Sequence, residues 1–182
     1  MLKRAALVSS SVMLLALPFT AHEEGLRTAA YLDSVGVPTI CYGETEGVKL
    51  GDRKTKTECD VIFYAKLGVF AHAIDMTIQP ALSDPTHAAL TSWSYNVGMG
   101  AMRGSTLVKK ANRGDIIGAC KELIKKDESS GVCRGYGCGW AGGRMIKGIQ
   151  NRRVREHKLC MKGIENAKII PTAGSSYSSW NN

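Results

Sequence analysis

An uncharged run of eighteen residues, from Ala5 to His22, most constrains what this chain can become. As a helix it would be about 27 Å long at ~1.5 Å per residue, and a membrane span needs about 20 strongly apolar residues. Lys3 and Arg4 precede the run, as in an export signal. Its hold on a bilayer is weakened by Ser9, Ser10, Ser11, Pro18 and Thr20.

The sequence after this run does not favour cleavage. Cutting after Ala21 would put Phe19 at the −3 position, where a small residue belongs. We therefore expect residues 1–21 to be an uncleaved export signal, with residues 5–21 as a weak membrane anchor. The basic end would stay in the cytoplasm and the remaining chain would be exported.

An exported chain can form disulfides, and six cysteines is an even number for pairing. Sequence alone permits fifteen pairings of them. Cys133 and Cys138 have no second Cys or His pair at ligand spacing, so we predict no zinc or other metal site. The six are Cys41, Cys59, Cys120, Cys133, Cys138 and Cys160.

Positive charge is concentrated in the C-terminal part of the chain. Residues 1–108 hold nine Lys and Arg against ten Asp and Glu, whereas residues 109–182 hold fifteen against six. Such a surface suits anionic partners, either nucleic acid, anionic lipid or bacterial wall polymers, or it is simply a solvated helical face. The basic residues lie on amphipathic helices without interleaved aromatic residues, which argues against nucleic-acid binding.

The sequence that follows the apolar run predicts mixed structure. We expect a short helix from about residue 22 to 31. Glycines and β-prone residues between 34 and 50 predict a small antiparallel hairpin or meander. Thr57 to Asp60 resembles a capping box, and apolar residues then recur at helical spacing to residue 78.

The second part predicts helices. Asp84-Pro85 is typical of a helix start, and that helix should end at Gly98. Ser105 and Asp115 should cap two more helices. A loop is expected over residues 127–143 and a last helix over 143–161.

These elements predict an α+β fold. A small lobe with a short antiparallel sheet would be joined by a long helix to a larger, mainly helical lobe. We assign residues 22–164 to one catalytic domain and residues 165–182 to a disordered tail.

Two carboxylates and a hydroxyl are the strongest candidates for chemistry. Glycoside hydrolysis needs a protonated acid and a second carboxylate across a cleft. Glu24 near a helix and Asp33 at the mouth of the hairpin fit this need, and Thr39 on a predicted strand can help to hold a water. By residue type alone, a solvated Glu24 and a turn-forming Asp33 remain open alternatives.

Several ordered motifs resemble the phage-type lysozymes, the endolysin muramidases of glycoside hydrolase family 24. The resemblance spans residues 23–162. The motifs are Glu24-Gly-Leu-Arg27, Tyr31-x-Asp33, Val35-Gly-Val-x-Thr39, Ser92-Trp-Ser-Tyr-Asn-Val-Gly98, Trp140-Ala-Gly-Gly143 and Arg152-Arg153-x-x-Glu156.

The resemblance implies a lysozyme fold and a cofactor-free, inverting muramidase that acts on peptidoglycan. Glu24 would be the general acid, and Asp33 with Thr39 would bind the attacking water. It also implies a monomer that is tethered to the host inner membrane and later released into the periplasm, like signal-arrest-release endolysins. The implied substrate-binding residues are Tyr31, Tyr42, Asn96, Trp140, Gly142 and Gly143.

Exported members of this family often carry cysteines at four of the positions found here. The resemblance therefore implies the pairs Cys41–Cys59 and Cys120–Cys160, which leaves Cys133–Cys138 to close the apparent insertion at 127–139. Glu44 replaces a histidine that is common in the family, so we expect an ion pair to be lost there. We interpret Glu23 as a solvated spacer.

Two other functions remain open from the sequence. One is a non-catalytic wall-binding or membrane-perturbing protein that uses the basic half of the same fold. The other is a cysteine peptidase, which would need a histidine partner for Cys41. His72, His87 and His157 lie in no recognisable catalytic context.

Overall fold

The N-terminal apolar run forms the first helix, α1 (Ser10–Glu24), in the computed structural model. The Ser9 hydroxyl accepts a hydrogen bond from the N–H of Ser11 at its start, and Gly25, at φ 71°, ends it. Within the part of the chain that the structure describes, no helix combines the length and apolarity of a membrane span. The described residues are 8–33, 35–125, 140–141, 144–145 and 147–169.

One side of α1 is built into the protein core. It packs mainly on α3 (Asp84–Val97) and also contacts α2 (Lys56–Thr77). Residues from the expected anchor therefore share a core with residues 40–88. The buried residues of α1 are Val12, Met13, Ala16 and Thr20.

A two-stranded antiparallel sheet follows. Strand β1 (Arg27–Leu32) pairs with β2 (Pro38–Cys41), with Tyr31 opposite Thr39. The expected small sheet is confirmed, but the helix expected over 22–31 is wrong. The apolar run is itself the helix, and Gly25 turns the chain out of it so that the next residues extend as a strand.

The long helix α2 joins the two lobes. Its capping box is formed by Thr55 and Glu58, so the expected box at Thr57 to Asp60 is wrong by two residues. The Thr55 side chain accepts from the N–H of Glu58, while the Glu58 carboxylate accepts from the N–H of Thr55. Both helix-end donors are therefore satisfied, which fixes where α2 begins.

The larger lobe consists of helices around Trp93, which is fully buried. Ser105 and Asp115 cap helices as expected, since each side chain accepts a hydrogen bond from a main-chain N–H three residues on. The remaining elements are α4 (Met99–Gly104), α5 (Thr106–Asn112), α6 (Ile116–Glu122), the paired strands β3 (Trp140–Ala141) and β4 (Arg144–Met145), and α7 (Lys147–Ile169).

The last helix differs from expectation. It begins at Lys147 and continues to Ile169, so the expected limits of 143 and 161 are wrong. Its contact with α3 is very close, because a Cβ placed on Gly163 would lie within 3 Å of Ser83 and Thr86 atoms. The helix thus includes residues 165–169 of the tail expected at 165–182, and the rest of that tail lies outside the described residues.

Two disulfides cross-link the fold. Cys41–Cys59 joins β2 to α2, and Cys120–Cys160 joins α6 to α7. These are the two pairs that the family resemblance implies. Each closes a loop, of 18 and 40 residues in sequence separation, and loops of this size stabilise by about 3 to 4 kcal/mol in the chain-entropy account. Cys133 and Cys138 lie outside the described residues.

Candidate active site

Glu24 is the last residue of α1, and a distant arginine holds its carboxylate. Glu24 Oε1 accepts a 2.6 Å hydrogen bond from Nη1 of Arg152 on α7. The Glu24 side chain is 17% exposed, so it is largely enclosed but reachable from solvent. Its other oxygen faces the turn after β2, where a Cβ on Gly43 would lie 3.7 Å from Oε2. Glu24 thus sits where α1, α7 and the hairpin meet.

Arg152 is itself fixed by a buried polar network. Its Nε donates to Glu156 Oε1 at 2.9 Å, and its Nη2 donates to the main-chain oxygen of Ser92 at 2.9 Å. Burial would lower the pKa of Arg152, but the carboxylates of Glu24 and Glu156 outweigh it and raise that pKa. The guanidinium therefore stays charged and cannot turn away from Glu24 without breaking its other bonds.

Glu156 is the fully buried centre of that network. It also accepts from Arg153 Nη1 at 2.6 Å and from the Ser92 hydroxyl at 3.0 Å. Arg153 in turn donates to the side-chain oxygen of Asn96, so this expected substrate-binding residue is tied to the network on one side. A buried carboxylate is tolerated because both of its oxygens are paired with arginines.

Asp33 is held in a different way, by the main chain of its own hairpin. Asp33 Oδ1 accepts from the N–H of Val35 at 2.9 Å and from the N–H of Val37 at 2.8 Å. Thr39 is 3% exposed, and its hydroxyl donates to the main-chain oxygen of Val37 at 2.9 Å. Asp33 and Thr39 are therefore both hydrogen-bonded to the main chain of Val37, in the turn between β1 and β2.

The two tyrosines expected to bind substrate have different surroundings. The Tyr31 ring lies 4.7 Å from the Arg27 guanidinium, on the outer part of β1. Tyr42 is 7% exposed, and its hydroxyl donates to Asp60 at 2.9 Å. Burial, and then this hydrogen bond, raise the pKa of Tyr42. The Tyr42 side chain therefore packs into the fold, whereas Tyr31 stands nearer to solvent.

Glu44 corrects an expectation of lost stability. It forms an ion pair with Lys66 of α2 at 3.0 Å, and its Oε1 also accepts from the N–H groups of Thr45 and Glu46. Burial would raise the pKa of Glu44, but these partners outweigh burial and lower it. The hairpin is thus joined to α2 by an ion pair whose acid lies on the hairpin and whose base lies on the helix.

A cavity of about 480 Å³ lies elsewhere, between α1 and α2. Tyr42, expected to bind substrate, is among its lining residues, but none of the three candidate catalytic residues is; the others include Leu17, Pro18, Val61 and Tyr64. Among the described residues, no group of three or more His, Cys, Asp or Glu is placed to hold a metal ion. The polar centre at Glu24 is therefore the better candidate for catalysis.

Sequence comparison decides which family carries this arrangement. The sequence profile of the family "Phage lysozyme" matches residues 21–156, which contain Glu24, Asp33, Thr39 and Arg152.

The chain belongs to the phage lysozyme family.

Known relatives agree with this assignment. The SAR-endolysin of Bacteriophage PS119 is 38% identical over 141 residues, which are 77% of each chain. The SAR-endolysin of Enterobacteria phage PA-2 is 37% identical over 141 residues, 77% of this chain and 78% of the relative. A solved endolysin from Escherichia coli O157:H7 phage FAHEc1 is 27% identical, with a TM-score of 0.65 over 85% of this chain and 92% of the other.

Sequence reasoning missed two residues of this phage lysozyme site. The interpretation of Glu23 as a solvated spacer is wrong, because its side chain is 3% exposed and both of its oxygens bond to Arg155. Arg152 was visible only as part of a family motif. One signal was available in the sequence. Arg152 and Arg155 are three residues apart and so share a helix face, which could pair with the two adjacent acids Glu23 and Glu24.

The remaining expected substrate-binding residues are Trp140, Gly142 and Gly143. Trp140 lies in β3, opposite Met145 of β4. Gly142 and Gly143 lie outside the described residues, as does the expected insertion at 127–139.

Proposed function

We propose that this chain is an endolysin that lyses a bacterial host by hydrolysing peptidoglycan. The bond cleaved is the β-1,4 linkage between N-acetylmuramic acid and N-acetylglucosamine. Membership of the phage lysozyme family supports this reaction. The observation that carries the choice of site is the Glu24 carboxyl, held by Arg152 at the junction of α1, α7 and the hairpin.

In this proposal Glu24 is the general acid. Its protonated carboxyl donates a proton to the glycosidic oxygen as the bond to the anomeric carbon breaks. The leaving sugar then carries a new hydroxyl, and Glu24 is left as a carboxylate. Arg152, already bonded to Oε1, holds that carboxyl in one orientation and stabilises the charge it acquires.

Asp33 is the general base. It takes a proton from a water that attacks the anomeric carbon from the face opposite to the leaving group, with the Thr39 hydroxyl helping to hold that water. The product sugar is therefore inverted at that carbon. An inverting pair needs about 6.5–9.5 Å between its carboxyls to admit the water. Proton exchange with solvent then restores Glu24 as acid and Asp33 as base.

We assign glycan binding to residues around this pair and the basic half of the chain to the anionic wall. Charge complementarity supports the second assignment, since the chain after residue 108 contains fifteen Lys and Arg but only six Asp and Glu. The protein would act as a monomer. The glycan-binding residues in this proposal are Tyr31, Tyr42, Asn96, Trp140, Gly142 and Gly143.

The N-terminal segment supports a route to the wall. Residues 1–21 would direct export, residues 5–21 would tether the chain to the inner membrane, and release would deliver it to the periplasm. Polar residues within the run favour exit from the bilayer, and the relatives carry the name SAR-endolysin. After release the same segment, as α1, would bury one face on α3 and bring Glu24 to Arg152.

The catalytic assignment is tested by product analysis on purified peptidoglycan. The wild-type chain should release reducing sugar ends, and Glu24→Gln should abolish this while keeping the unfolding temperature within a few degrees. Release of free amino groups instead would indicate a peptidase, and binding without release would indicate a wall-binding protein. Full activity in Glu24→Gln would refute the site.

The tether is tested separately in cells. Replacing Ser9, Ser10 and Ser11 with leucine should hold the protein in the membrane fraction and delay lysis. A control replaces two exposed threonines outside the run, Thr45 and Thr57, with leucine. It adds apolar surface without changing the N-terminal segment. Unchanged lysis timing with the triple variant still membrane-bound would contradict the tether.

A further inference from the structure

The last turn of α1 makes two ion pairs with α7, and only one of them involves the proposed acid. Glu23 bonds to Arg155 through both oxygens, at 2.6 Å to Nε and 2.7 Å to Nη2. Glu24 bonds to Arg152. Adjacent glutamates on α1 thus meet arginines three residues apart on α7, which lie on the same face of that helix.

Glu24 needs such support because of where it lies. The end of a helix lacks some of its own hydrogen-bond partners and is prone to fray. The chain then leaves α1 at Gly25, and residues 25–29 are all exposed, so the segment that follows gives Glu24 little packing. Contacts made by the last turn of α1 are therefore well placed to position the Glu24 main chain.

The Glu23–Arg155 pair has the geometry for that task. A two-bond fork between a carboxylate and a guanidinium fixes relative orientation as well as distance. Burial would raise the pKa of Glu23, but Arg155 and then Arg152 outweigh burial and lower it, so the pair is charged at neutral pH. The Glu23 side chain is almost fully buried, whereas the Arg155 side chain is 43% exposed.

We infer that Glu23 and Arg155 are positioning residues whose ion pair sets where the Glu24 carboxyl meets Arg152. This inference rests on the proposed role of Glu24 as the general acid. Neither Glu23 nor Arg155 touches the reacting atoms in it. They act through the main chain, because any shift of residue 23 relative to α7 moves residue 24 with it.

The pair should matter more for rate than for stability. Solvent reaches the Arg155 end of the pair, which is 43% exposed, and this limits the contribution of the pair to folding. A misplacement of about 1 Å at a reacting group lowers the rate by about 100-fold. Loss of the pair should therefore lower kcat in a chain that still folds, and KM should change little because substrate contacts remain.

The test is kinetics on purified peptidoglycan with the full chain, alongside thermal unfolding. Glu23→Ala and Arg155→Met should each lower kcat by about 10- to 100-fold, with KM within about twofold of wild type. The double variant should be no worse than either single variant, since both remove one interaction. The charge-reversed variant, Glu23→Arg with Arg155→Glu, should recover part of the lost kcat.

Two comparisons keep the test decisive. Lys158→Met removes another exposed cation from α7 and should leave kcat near wild type. Glu23→Gln keeps the side-chain shape and serves if Glu23→Ala does not fold. A purely structural role would lower the unfolding temperature but leave kcat per folded molecule unchanged, and that result would overturn the inference. So would losses that multiply in the double variant.

The inference and the proposed function fail in different ways. If the wild-type chain releases no reducing ends, or Glu24→Gln remains active, the proposed function is wrong. If the wild type is active, Glu24→Gln is inactive and Glu23→Ala keeps full kcat, only the positioning role of Glu23 and Arg155 is wrong.

Discussion

The two proposed catalytic carboxylates are held by opposite means. Asp33 is held by main-chain N–H groups two and four residues further along its own hairpin. Glu24 is held by a side chain 128 residues away, on the last helix of the fold. One carboxylate is thus oriented by local chain geometry and the other by a contact between the first and the last helix.

This difference teaches which half of the site depends on assembly. The hairpin can orient Asp33 as soon as β1 and β2 pair, and the Cys41–Cys59 bond keeps β2 on α2. Glu24 becomes oriented only when α1 reaches α7. If α1 is withheld in a membrane, the proposed base is ready and the proposed acid is not.

Removing Arg152 should have the largest effect, because Arg152 is the distant partner that orients Glu24. Arg152→Met should lower the free energy of unfolding by about 3 kcal/mol. The substitution leaves Glu24 without its partner and Glu156 with one arginine fewer. Activity should fall by at least about 100-fold, since the Glu24 carboxyl loses its orientation. Urea unfolding followed by tryptophan fluorescence measures the first effect, and release of reducing ends measures the second.

The exposed cation Lys158 on the same helix provides the control for Arg152. Lys158→Met should change the free energy of unfolding by less than about 0.5 kcal/mol. If Arg152→Met were as stable and as active as Lys158→Met, Glu24 would not depend on its distant partner and the contrast with Asp33 would disappear.

Substitutions at Asp33 test whether its hydrogen bonds to the neighbouring main chain stabilise the turn. Asp33→Asn keeps an oxygen that can accept from Val35 and Val37, so stability should stay within about 0.5 kcal/mol of wild type. Activity should fall by about 100- to 10,000-fold, because the amide cannot accept a proton from water. Asp33→Ala should lose the same activity and about 1 kcal/mol of stability as well. Equal stability of the two variants would show that the side chain does not hold the turn.

Glu44 combines the two means, since it bonds both to local N–H groups and to Lys66 on α2. Its pKa in the folded protein lies below the usual 4.5, so it stabilises the fold fully above that pH and loses the effect as pH falls through the folded-state pKa. Glu44→Gln should cost about 1 kcal/mol at pH 7.

The pH dependence of that loss is the measurement. The difference in free energy of unfolding between wild type and Glu44→Gln should shrink as the pH is lowered below 4.5. The exposed neighbour Glu46 gives the control, because Glu46→Gln should show a smaller difference. A difference for Glu44→Gln that did not change with pH would contradict the assigned charge.

The sequence predicted those features that depend on residues close to one another along the chain. Caps at Ser105 and Asp115 are short-range hydrogen bonds, and the start of α3 follows from Asp84-Pro85. The proposed catalytic residues come from a family motif that places them at fixed spacing within one segment, and their roles stay a prediction. The two disulfides were likewise found through the family, since spacing alone allowed fifteen pairings.

What the sequence hid depends on distance along the chain. Glu23 looked solvated because its partner Arg155 is 132 residues away. The helix expected over residues 22–31 failed for a different reason. Gly25 has a positive φ that ends α1, and a single glycine gives no warning of which side of it remains helical.

The two faces of α1 divide its sequence between two tasks. The inner face has Ala16 and Thr20 fully buried against the core, where larger side chains would overpack it and destabilise the fold. The outer face includes Leu14, which is 74% exposed, and Pro18, which is also exposed. If residence in the membrane sets the moment of lysis, substitutions on the outer face can lengthen or shorten that delay without altering the folded enzyme. A phage could then adjust its lysis time by natural selection on a few surface positions while its catalytic machinery stays the same.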